Sequence, residues 1–479
     1  MTRVVGQTPV IEQRLQKLDA IRDLGIEPYP YRFEPTHYSV DVIASFDTLN
    51  ASGEEVRVAG RLIVTRGHGK AAFADLRDAK GRLQIYVRLD NIGDDAFALW
   101  KLLDIGDFIG VSGRVFKTRT GQISVRVQTL ALLTKAIRPL PVPKEEIRGG
   151  ERVVHDQFSD KELRYRRRYL DLALNPDVQA VFRKRSAVVS AMREFLDARG
   201  FLEVETPVLQ PLYGGASARA FVTHHNVLDM PLYLRISDEL YLKRLIVGGL
   251  ERAYADYSDM MAIAEALYAF VAEKVNGATT LEYQKREIDL TPPWPRIPML
   301  DAIEKYGNID VACSSDADLH AACKRFGSDI EPSAERGLLI NELFEACVEP
   351  ELIQPTFITD YPIAVSPLAK RHRTQKDLTE RFEIFINGWE AGNAFSELND
   401  PIDQRQRFAH QKTLRDRGDD EAQMLDEDFL LALEHGMPPT GGLGIGVDRL
   451  VMLLADAPSI RDAILFPHMR PKEGLDDHG

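Results

Sequence analysis

The chain is organised around the stretch Arg381-Phe-Glu-Ile-Phe-Ile-Asn-Gly-Trp-Glu-Ala-Gly-Asn-Ala-Phe-Ser-Glu397. Two apolar-rich runs flank Asn387-Gly388, which is the strongest short signal for a two-residue hairpin turn. With such a turn Phe385 pairs with Glu390, and Glu383 lies diagonal to Glu390 on the same face of the sheet. We therefore predict a β-hairpin on which two carboxylates converge.

Converging carboxylates at Glu383 and Glu390 suit a hard cation such as Mg²⁺. This ion takes one or two carboxylates and leaves its other positions to water and substrate phosphates. The alternative is a solvated polar face, because carboxylates in strands are usually exposed.

A second informative run is Gly441-Gly-Leu-Gly-Ile-Gly-Val-Asp-Arg-Leu-Val-Met-Leu-Leu454. It predicts a glycine-lined strand followed by an apolar helix that begins near Arg449. Glycines let a ligand approach the backbone closely. Arg449 can bind a phosphate with two hydrogen bonds, and the alternative is a surface arginine on a packed helix.

Together, residues 390–400 (Glu-Ala-Gly-Asn-Ala-Phe-Ser-Glu-Leu-Asn-Asp) and 442–449 (Gly-Leu-Gly-Ile-Gly-Val-Asp-Arg) resemble class II lysyl-tRNA synthetases. The second run is similar to the third signature motif of that class, and the resemblance extends from about residue 11 to residue 472. It implies an α+β protein with an N-terminal OB-fold β-barrel and a class II aminoacyl-tRNA synthetase catalytic domain on an antiparallel sheet. It also implies ATP-dependent attachment of lysine to tRNA(Lys) through lysyl-adenylate.

The resemblance implies a role for each residue that matches the family's site. It implies Mg²⁺ ligands at Glu383 and Glu390, a catalytic contact to the ATP γ-phosphate at Arg449, and substrate-binding positions at Gly215, Glu239, Asn393, Phe395, Glu397, Gly444 and Gly446. An acidic side chain at Glu239 suits a lysine ammonium. Glu239 could instead pair with Arg235 or Lys243.

One pocket for all these residues conflicts with a regular hairpin. Strict alternation from Glu390 places Asn393, Phe395 and Glu397 on the face away from the carboxylates. We therefore predict a β-bulge at or next to Gly392, the residue best able to adopt it.

Period-two alternation dominates from Val56 to Leu133. Several short strands with glycine turns in so short a segment suggest a small Greek-key barrel, and the OB-fold is the one that reads single-stranded nucleic acid. Arg66, Lys70 and Arg88 offer phosphate partners. Phe73 offers a face on which a base can stack, and the alternative is a buried core phenylalanine.

The resemblance implies anticodon contacts from this barrel. Arg66, Phe73 and Gln84 match the anticodon-contacting positions of the family. Gln122 departs from the pattern of the family, because family members carry Glu at this position. An amide can still hydrogen-bond a base edge, although it is not an acceptor only.

Composition limits the function classes. A chain of 479 residues with net charge −13 is long enough for two or three domains, and any RNA binding must rest on local basic patches. Cys313, Cys323 and Cys347 show no metal-ligand spacing and cannot all pair within one chain, which fits a reducing compartment. Without an apolar leader or an 18-residue apolar run, we expect a cytoplasmic protein with no membrane span.

We predict three segments: residues 1–137 with an N-terminal helix and the anticodon-binding barrel, a linker at 138–160, and the catalytic domain at 161–479. The helix spans residues 9–24, and its basic face either contacts RNA or is solvated. Three prolines in Arg138-Pro-Leu-Pro-Val-Pro143 predict that the linker is an extended spacer.

The basic cluster Arg164–Arg168 indicates either an RNA-facing patch or structural ion pairs. A helix at 177–199 followed by a strand at 201–207 resembles the first class II motif, which implies a homodimer. Residues 279–352 are expected to form a mixed α insertion.

One departure from the family is large. Arg252 is followed directly by Ala253, where the resemblance implies an intervening hairpin, the second class II motif. In the family this hairpin carries the arginine on the ATP α-phosphate, groups around the adenine and two lysine contacts. Because neighbouring strands lie about 5 Å apart, the ends of an excised hairpin can be rejoined and the fold can persist. One lost donor at the reacting phosphorus costs on the order of 10²–10³ in rate.

Three alternatives to an active lysyl-tRNA synthetase remain open from the sequence. Aspartyl- and asparaginyl-tRNA synthetases share the barrel and the catalytic domain, although Glu239 and Glu397 favour a cationic amino acid. The missing hairpin could also make a catalytically impaired, tRNA-binding paralogue. The third alternative is a truncated gene product.

Overall fold

The computed structural model describes residues 8–141, 144–148, 151–155, 158–216, 218–250, 253–328, 330–332, 334–416 and 424–471; for 144–148 and 151–155 it describes the backbone. Internal contacts divide the chain into two units, Met1–Leu174 with His468–Gly479, and Asn175–Pro467. Each unit is described by itself.

The first unit contains the predicted barrel, which is closed and five-stranded. Its elements are α1 (Pro9–Asp23), α2 (Ser39–Ala44), α3 (Phe46–Ser52), β1 (Glu55–His68), β2 (Ala71–Arg77), β3 (Arg82–Arg88), α4 (Leu89–Leu102), β4 (Phe108–Lys117) and β5 (Ile123–Thr134). The order is β1-β2-β3-β5-β4, with β3 and β5 parallel and the other pairs antiparallel. Alternate residues such as Val58, Ile85 and Val125 fill the interior, as the period-two pattern predicts.

The basic side chains of α1 stabilise the first unit itself. Arg14 is buried and donates to the backbone carbonyls of Ile105, Ala136 and Arg138. Lys17 pairs with Asp104 at 2.6 Å. The predicted helix is confirmed, but Arg14 is buried and Lys17 is paired within the unit, so neither forms the free basic face that was considered.

The linker differs from the predicted extended spacer. Strands β6 (Lys144–Arg148) and β7 (Glu151–His155) pair as an antiparallel hairpin, because the polar residues beyond the prolines are free to form a ladder. Helices α5 (Lys161–Arg166) and α6 (Arg168–Leu174) follow.

The basic cluster in these two helices forms structural ion pairs. Arg168 is 2% exposed and its Nη1 lies 2.6 Å from Oδ2 of Asp171, while Arg164 Nε donates to Oδ1 of the same carboxylate at 2.8 Å. This resolves the open choice against an RNA-facing patch for these two residues.

The second unit is built on a five-stranded sheet covered by helices. Its elements are α7 (Pro176–Asp197), β8 (Leu209–Gln210), β9 (Val222–His225), β10 (Met230–Leu234), α8 (Glu239–Val247), α9 (Tyr257–Asn276), β11 (Thr280–Tyr283), β12 (Arg286–Asp289), β13 (Arg296–Pro298), α10 (Met299–Ala302), α11 (Asp316–Arg325), α12 (Arg336–Cys347), β14 (Thr356–Thr359), β15 (Arg381–Ile386), β16 (Trp389–Ser396), α13 (Pro401–Asp416), α14 (Glu427–Glu434), β17 (Gly441–Ile445), α15 (Val447–Ala455) and α16 (Ile460–Ala463). A π-helical turn spans Ile303–Gly307, and 3₁₀ turns span Glu349–Glu351 and Ile363–Val365.

The main sheet has the order β13-β14-β15-β16-β17 and is antiparallel except for β13 with β14. Helices α7, α9 and α15 contribute Val188, Tyr268 and Leu450 to the core against it. A separate three-stranded sheet has the order β8-β10-β9. The strand expected at 201–207 is not formed: this segment is irregular, and without a ladder partner a β-strand has no hydrogen bonds to stabilise it.

The central hairpin confirms the predicted turn and register. Asn387 and Gly388 have φ values of 56° and 76°, as a two-residue turn of the left-handed type requires. Ile386 pairs with Trp389 and Phe385 with Glu390.

The predicted bulge is also confirmed. Ile384 pairs with Gly392 whereas Phe385 pairs with Glu390, so Ala391 is the extra residue on β16. The bulge shifts the side-chain alternation of β16 by one residue. Asn393 therefore lies opposite Glu383, on the same face of the sheet as the carboxylates.

The chain near the unusual junction is well anchored on its C-terminal side. The two residues before Ala253 lie outside the described part of the chain. Tyr254 N donates to the carbonyl of Pro439 at 2.7 Å, and Asp256 caps α9 through the Ser258 amide. Among the described residues, β17 pairs only with β16 and forms one edge of the main sheet.

No helix in the described part of the chain is long and apolar enough to cross a membrane. The three cysteines are free, with Cys323 and Cys347 buried and Cys313 exposed.

Candidate active site and nucleic-acid interface

The hairpin face carries a connected set of polar side chains. Arg381 Nη2 donates to Oε1 of Glu383 at 2.6 Å, and its Nε donates to Oδ1 of Asn393 at 3.0 Å. The Tyr361 hydroxyl donates to the other oxygen of Glu383 at 3.0 Å. These contacts fix Glu383 and Asn393 on one surface of the sheet.

Glu390 lies beside this set and faces two opposing influences. Burial raises the pKa of its carboxyl, and the nearby charge of Glu383 raises it further. Arg449 opposes both effects: one guanidinium nitrogen lies 3.6 Å from Glu390 Oε2 and the same nitrogen donates to the Glu390 carbonyl. Two close carboxylates with an adjacent guanidinium form a site that favours a cation and a phosphate.

A cavity of about 510 Å³ adjoins these groups. It is lined by Arg185, Glu390, Ala391, Gly392, Asn393, Gly444, Ile445, Gly446, Val447, Asp448, Arg449 and Ile460. The amide of Gly446 donates to the Ala391 carbonyl at 2.8 Å, so the bulged residue ties β16 to the start of α15. Gly444 and Gly446 thus lie where the glycine-lined strand was predicted to meet a ligand.

Arg185 in this cavity was missed by the sequence reasoning. Its Nη1 donates to Asp448 Oδ1 at 2.5 Å and to the Ala463 carbonyl at 3.0 Å. It is one of several basic residues on α7, and no spacing in the sequence distinguishes it.

A buried charge cluster lies at the other end of β16. The Nζ of Lys243 is 2.7 Å from Glu239 Oε1 and 2.5 Å from Glu397 Oε2. Lys243 and Glu397 are 2% and 5% exposed. Lys243, which the sequence offered as a partner of Glu239, does pair with it. Glu397 contacts the same ammonium.

Burial raises the pKa of Glu397 to about 8, and Glu239 adds to this effect while Lys243 opposes it. Two glycines make room for the cluster. A methyl group at Gly442 would overlap Oε1 of Glu397, and one at Gly215 would lie 3.2 Å from the Cβ of Glu239. Phe395 forms a wall, with its ring centroid 5.7 Å from the Lys243 Nζ.

The barrel presents an aromatic and basic surface in the first unit. Phe73 is half-buried and outside the barrel core, and its ring centroid lies 4.7 Å from that of Tyr86. Phe116 continues the row at 6.0 Å from Tyr86, and the guanidinium of Arg126 lies 5.0 Å from the Phe116 ring. The core alternative for Phe73 is wrong, because its side chain is on the outer face.

The other predicted barrel residues surround this row. Arg66 pairs across the strands with Phe73 and is held by the buried carboxylate of Asp75 at 2.8 Å, which also pairs with Arg82. Lys70 is exposed next to the β1–β2 turn.

Gln84 and Gln122 lie at the β3–β5 side of the barrel. The Oε1 of Gln84 accepts from the Ser124 hydroxyl at 2.8 Å. Gln122 is exposed and immediately precedes β5. Tyr86, Phe116 and Arg126 were not singled out in the sequence, although Tyr86 lies in the alternating run that was noted.

Comparisons with known proteins match the two parts of the chain in which these residues lie. The sequence profile described as tRNA synthetases class II (D, K and N) matches residues 160–255 and 250–470, and that of the OB-fold nucleic acid binding domain matches residues 56–133. The chain belongs to the class II tRNA synthetases.

Several relatives in this class are named lysine–tRNA ligase. That of Moorella thermoacetica is 53% identical over 98% of this chain and 100% of its own length. That of Bacillus subtilis is 48% identical over 96% of this chain and 97% of its own length.

The catalytic profile matches this chain as two segments. They overlap at residues 250–255, which include the Arg252–Ala253 junction. The alignment with the Moorella relative covers 500 positions, whereas 98% of 479 residues is about 469, so this chain is gapped at about thirty positions in total.

Proposed function

We propose that the chain is a lysine–tRNA ligase that binds lysine, ATP and tRNA(Lys), with adenylate formation slowed by the missing hairpin. The observation that carries the proposal is the buried carboxylate pair Glu239 and Glu397 around an ammonium at one end of β16. The carboxylates and Arg449 at the other end supply a separate site for a phosphate-bearing ligand. Strand β16 therefore has the proposed lysine site at one end and the proposed ATP site at the other.

The acidic pocket favours lysine over the amino acids of the related synthetases. Two carboxylates share the single ammonium of Lys243, so a ligand ammonium can balance the second carboxylate, whereas an uncharged side chain cannot. Aspartate would bring a third negative charge to Glu239 and Glu397. We therefore assign the amino-acid side chain to these residues, with Asn393 and Phe395 beside it.

Mg²⁺ fits the donor set at the opposite end. Glu383 and Glu390 supply two carboxylates on one face, and burial together with the nearby charge of Glu383 raises the pKa of Glu390, an effect that a bound cation would oppose. A bound Mg²⁺ would neutralise phosphate charge. Among the described residues, no group of three or more His, Cys, Asp or Glu side chains could hold a metal without help from a substrate.

The chemistry needs no side-chain nucleophile. The lysine carboxylate attacks the ATP α-phosphorus with release of pyrophosphate, and a tRNA ribose hydroxyl then attacks the lysyl carbonyl of the adenylate with release of AMP. Arg449 would hold the γ-phosphate, and Gly444 and Gly446 would let the nucleotide approach the backbone. The protein contributes positioning and electrostatic stabilisation.

We expect lysine binding to release a proton from Glu397. At pH 7 this carboxyl is largely protonated in the free protein, because its pKa is raised to about 8. A ligand ammonium favours the ionised form, so binding at pH 7 releases up to about one proton, and affinity rises with pH up to about 8. Isothermal titration calorimetry in buffers of different protonation enthalpy measures the proton count.

The matched control is Glu397→Gln, which cannot titrate and should release no proton. A wild-type proton count of zero at pH 7 would contradict the assignment of Glu397 to the ligand ammonium. Absence of lysine binding at millimolar concentration would contradict the proposed function.

We expect Phe73→Ala to weaken tRNA(Lys) binding about 5- to 150-fold, since stacking contributes about 1–3 kcal/mol per base. Because Phe73 is outside the core, the melting temperature should change little. Filter binding at two salt concentrations measures the effect, and higher salt should weaken both proteins.

Tyr31→Ala is the matched control, because Tyr31 is a fully exposed aromatic residue that is not part of the stacking row. It should bind tRNA as the wild type does. Equal affinity of Phe73→Ala and the wild type would exclude Phe73 from the interface.

The missing hairpin favours a second candidate function, a tRNA-binding protein with little ligase activity. Retained tRNA affinity without measurable adenylate formation would support it.

We also propose a homodimer, on the resemblance of α7 and residues 201–207 to the first class II motif. Leu202 and Val208, which are 67% and 57% exposed, support a partner there. The segment boundaries 1–137, 138–160 and 161–479 and the cytoplasmic location stay predictions.

A further inference from the structure

Lys243 is a buried cation to which the reaction assigns no part. Its side chain is 2% exposed, and it carries the same group as the substrate's side chain, a primary ammonium on a four-carbon stem. It lies between the two carboxylates assigned to the substrate ammonium. The pocket therefore already holds an ammonium of the protein itself.

The two contacts of this ammonium differ. Glu239 and Lys243 are four residues apart on α8, in the favourable order for a helical pair, and they share a hydrogen bond of 2.7 Å. The contact with Glu397 joins α8 to β16. Although Nζ lies 2.5 Å from Glu397 Oε2, this buried oxygen has no well-aligned hydrogen bond in the described structure. The contact between Lys243 and Glu397 is therefore the one that a ligand ammonium can replace.

The charges in the cluster leave room for one further cation once Glu397 has released its proton. Two ionised carboxylates and one ammonium then sum to a single negative charge. The nearby walls are aromatic, with the Phe395 and Phe429 rings 5.7 Å and 5.8 Å from the Lys243 Nζ. A second ammonium would neutralise the cluster, but it must share Glu397 with Lys243 or displace it.

We propose that Lys243 is a positioning residue that occupies Glu397 while the pocket is empty and withdraws to Glu239 alone when the ammonium of lysine binds. This inference rests on the proposed function. Lys243 keeps both buried carboxylates paired in the absence of substrate, and it competes with the substrate for one of them.

The test is titration calorimetry of the full-length chain with lysine and with norleucine, which has the same carbon chain without the ammonium. We expect Lys243→Met to bind lysine at least about tenfold more tightly, because a competing like charge is removed. The affinity for norleucine should not be higher in Lys243→Met than in the wild type. Lys243→Arg should bind lysine at least about tenfold more weakly, because a planar guanidinium can hold both carboxylates at once.

Lys135→Met is the matched control. Lys135 is also buried between two carboxylates, Asp104 and Asp107 at 2.6 Å and 2.7 Å, but it lies in the barrel. Its substitution should leave lysine affinity unchanged.

Unchanged or weaker lysine binding by a folded Lys243→Met protein would show a purely structural role and overturn the inference. If the Lys243→Met protein does not fold, the lysine affinity of Lys243→Arg is the deciding measurement. A lysine affinity equal to that of the wild type would then overturn the inference. Absence of lysine binding by the wild type would overturn both this inference and the proposed function.

Discussion

Lysine-dependent ATP–pyrophosphate exchange by this chain is expected to be at least about 10²-fold slower than exchange by the Moorella relative. Charge develops at the α-phosphorus in the transition state, and removal of one preorganised donor costs on the order of 10²–10³ in rate. The two matched segments of the catalytic profile overlap at residues 250–255, and the resemblance implies that this donor belongs to the hairpin missing at that junction. We expect tRNA binding to be retained.

The two arginines that line the cavity already have partners in the protein. Arg449 donates to the Glu390 carbonyl, and Arg185 is paired with Asp448. We therefore do not expect either of them to replace the missing donor.

A chimera supplies the sharpest control. Insertion between Arg252 and Ala253 of the relative's segment that corresponds to the missing hairpin should recover exchange by at least about 10²-fold. If the unmodified chain exchanges pyrophosphate at a rate close to that of the relative, another segment fills the gap and the missing hairpin does not limit adenylate formation.

Gly442→Ala is expected to weaken lysine binding by at least about 10²-fold while the protein still folds. The added methyl would overlap Oε1 of Glu397, and the least costly relaxation is rotation of that side chain away from the pocket. Loss of one partner of a buried ion pair costs about 3–5 kcal/mol, which is more than a hundredfold in affinity. Calorimetry with lysine, together with a thermal melt, measures both effects.

Gly444→Ala provides the comparison on the same strand. Its added methyl would meet only the Asn393 carbonyl, at an ordinary 3.4 Å, so the loss of lysine affinity should be much smaller. Equal losses in the two variants would exclude the steric explanation at Glu397.

Local sequence rules predicted the central hairpin well. Asn387-Gly388 determines the turn, and the turn determines which residues of β15 and β16 are opposite each other. The bulge followed from the demand that Asn393 share a face with Glu383. It occurs at Ala391, where the regular alternation had to be interrupted.

Long-range side-chain contacts were not predictable in the same way. Helical spacing suggests the Glu239–Lys243 pair, but Glu397 reaches Lys243 only because α8 packs against the end of β16. The prediction of a strand at 201–207 was wrong for a related reason. A strand needs a hydrogen-bonded neighbouring strand, which no local sequence pattern can specify. The hairpin of β6 and β7 was not predicted, because the prolines that precede it favour an extended chain.

The edge position of β17 has a consequence for solubility. An open sheet edge presents unpaired backbone groups that can recruit strands from other molecules, which leads to aggregation. Strand β17 spans only Gly441–Ile445, and three of these five residues are glycine, which has a low preference for extended structure. Among the described residues, this edge is therefore a short and poor template for added strands, and it recruits them less readily than a longer, valine-rich edge would.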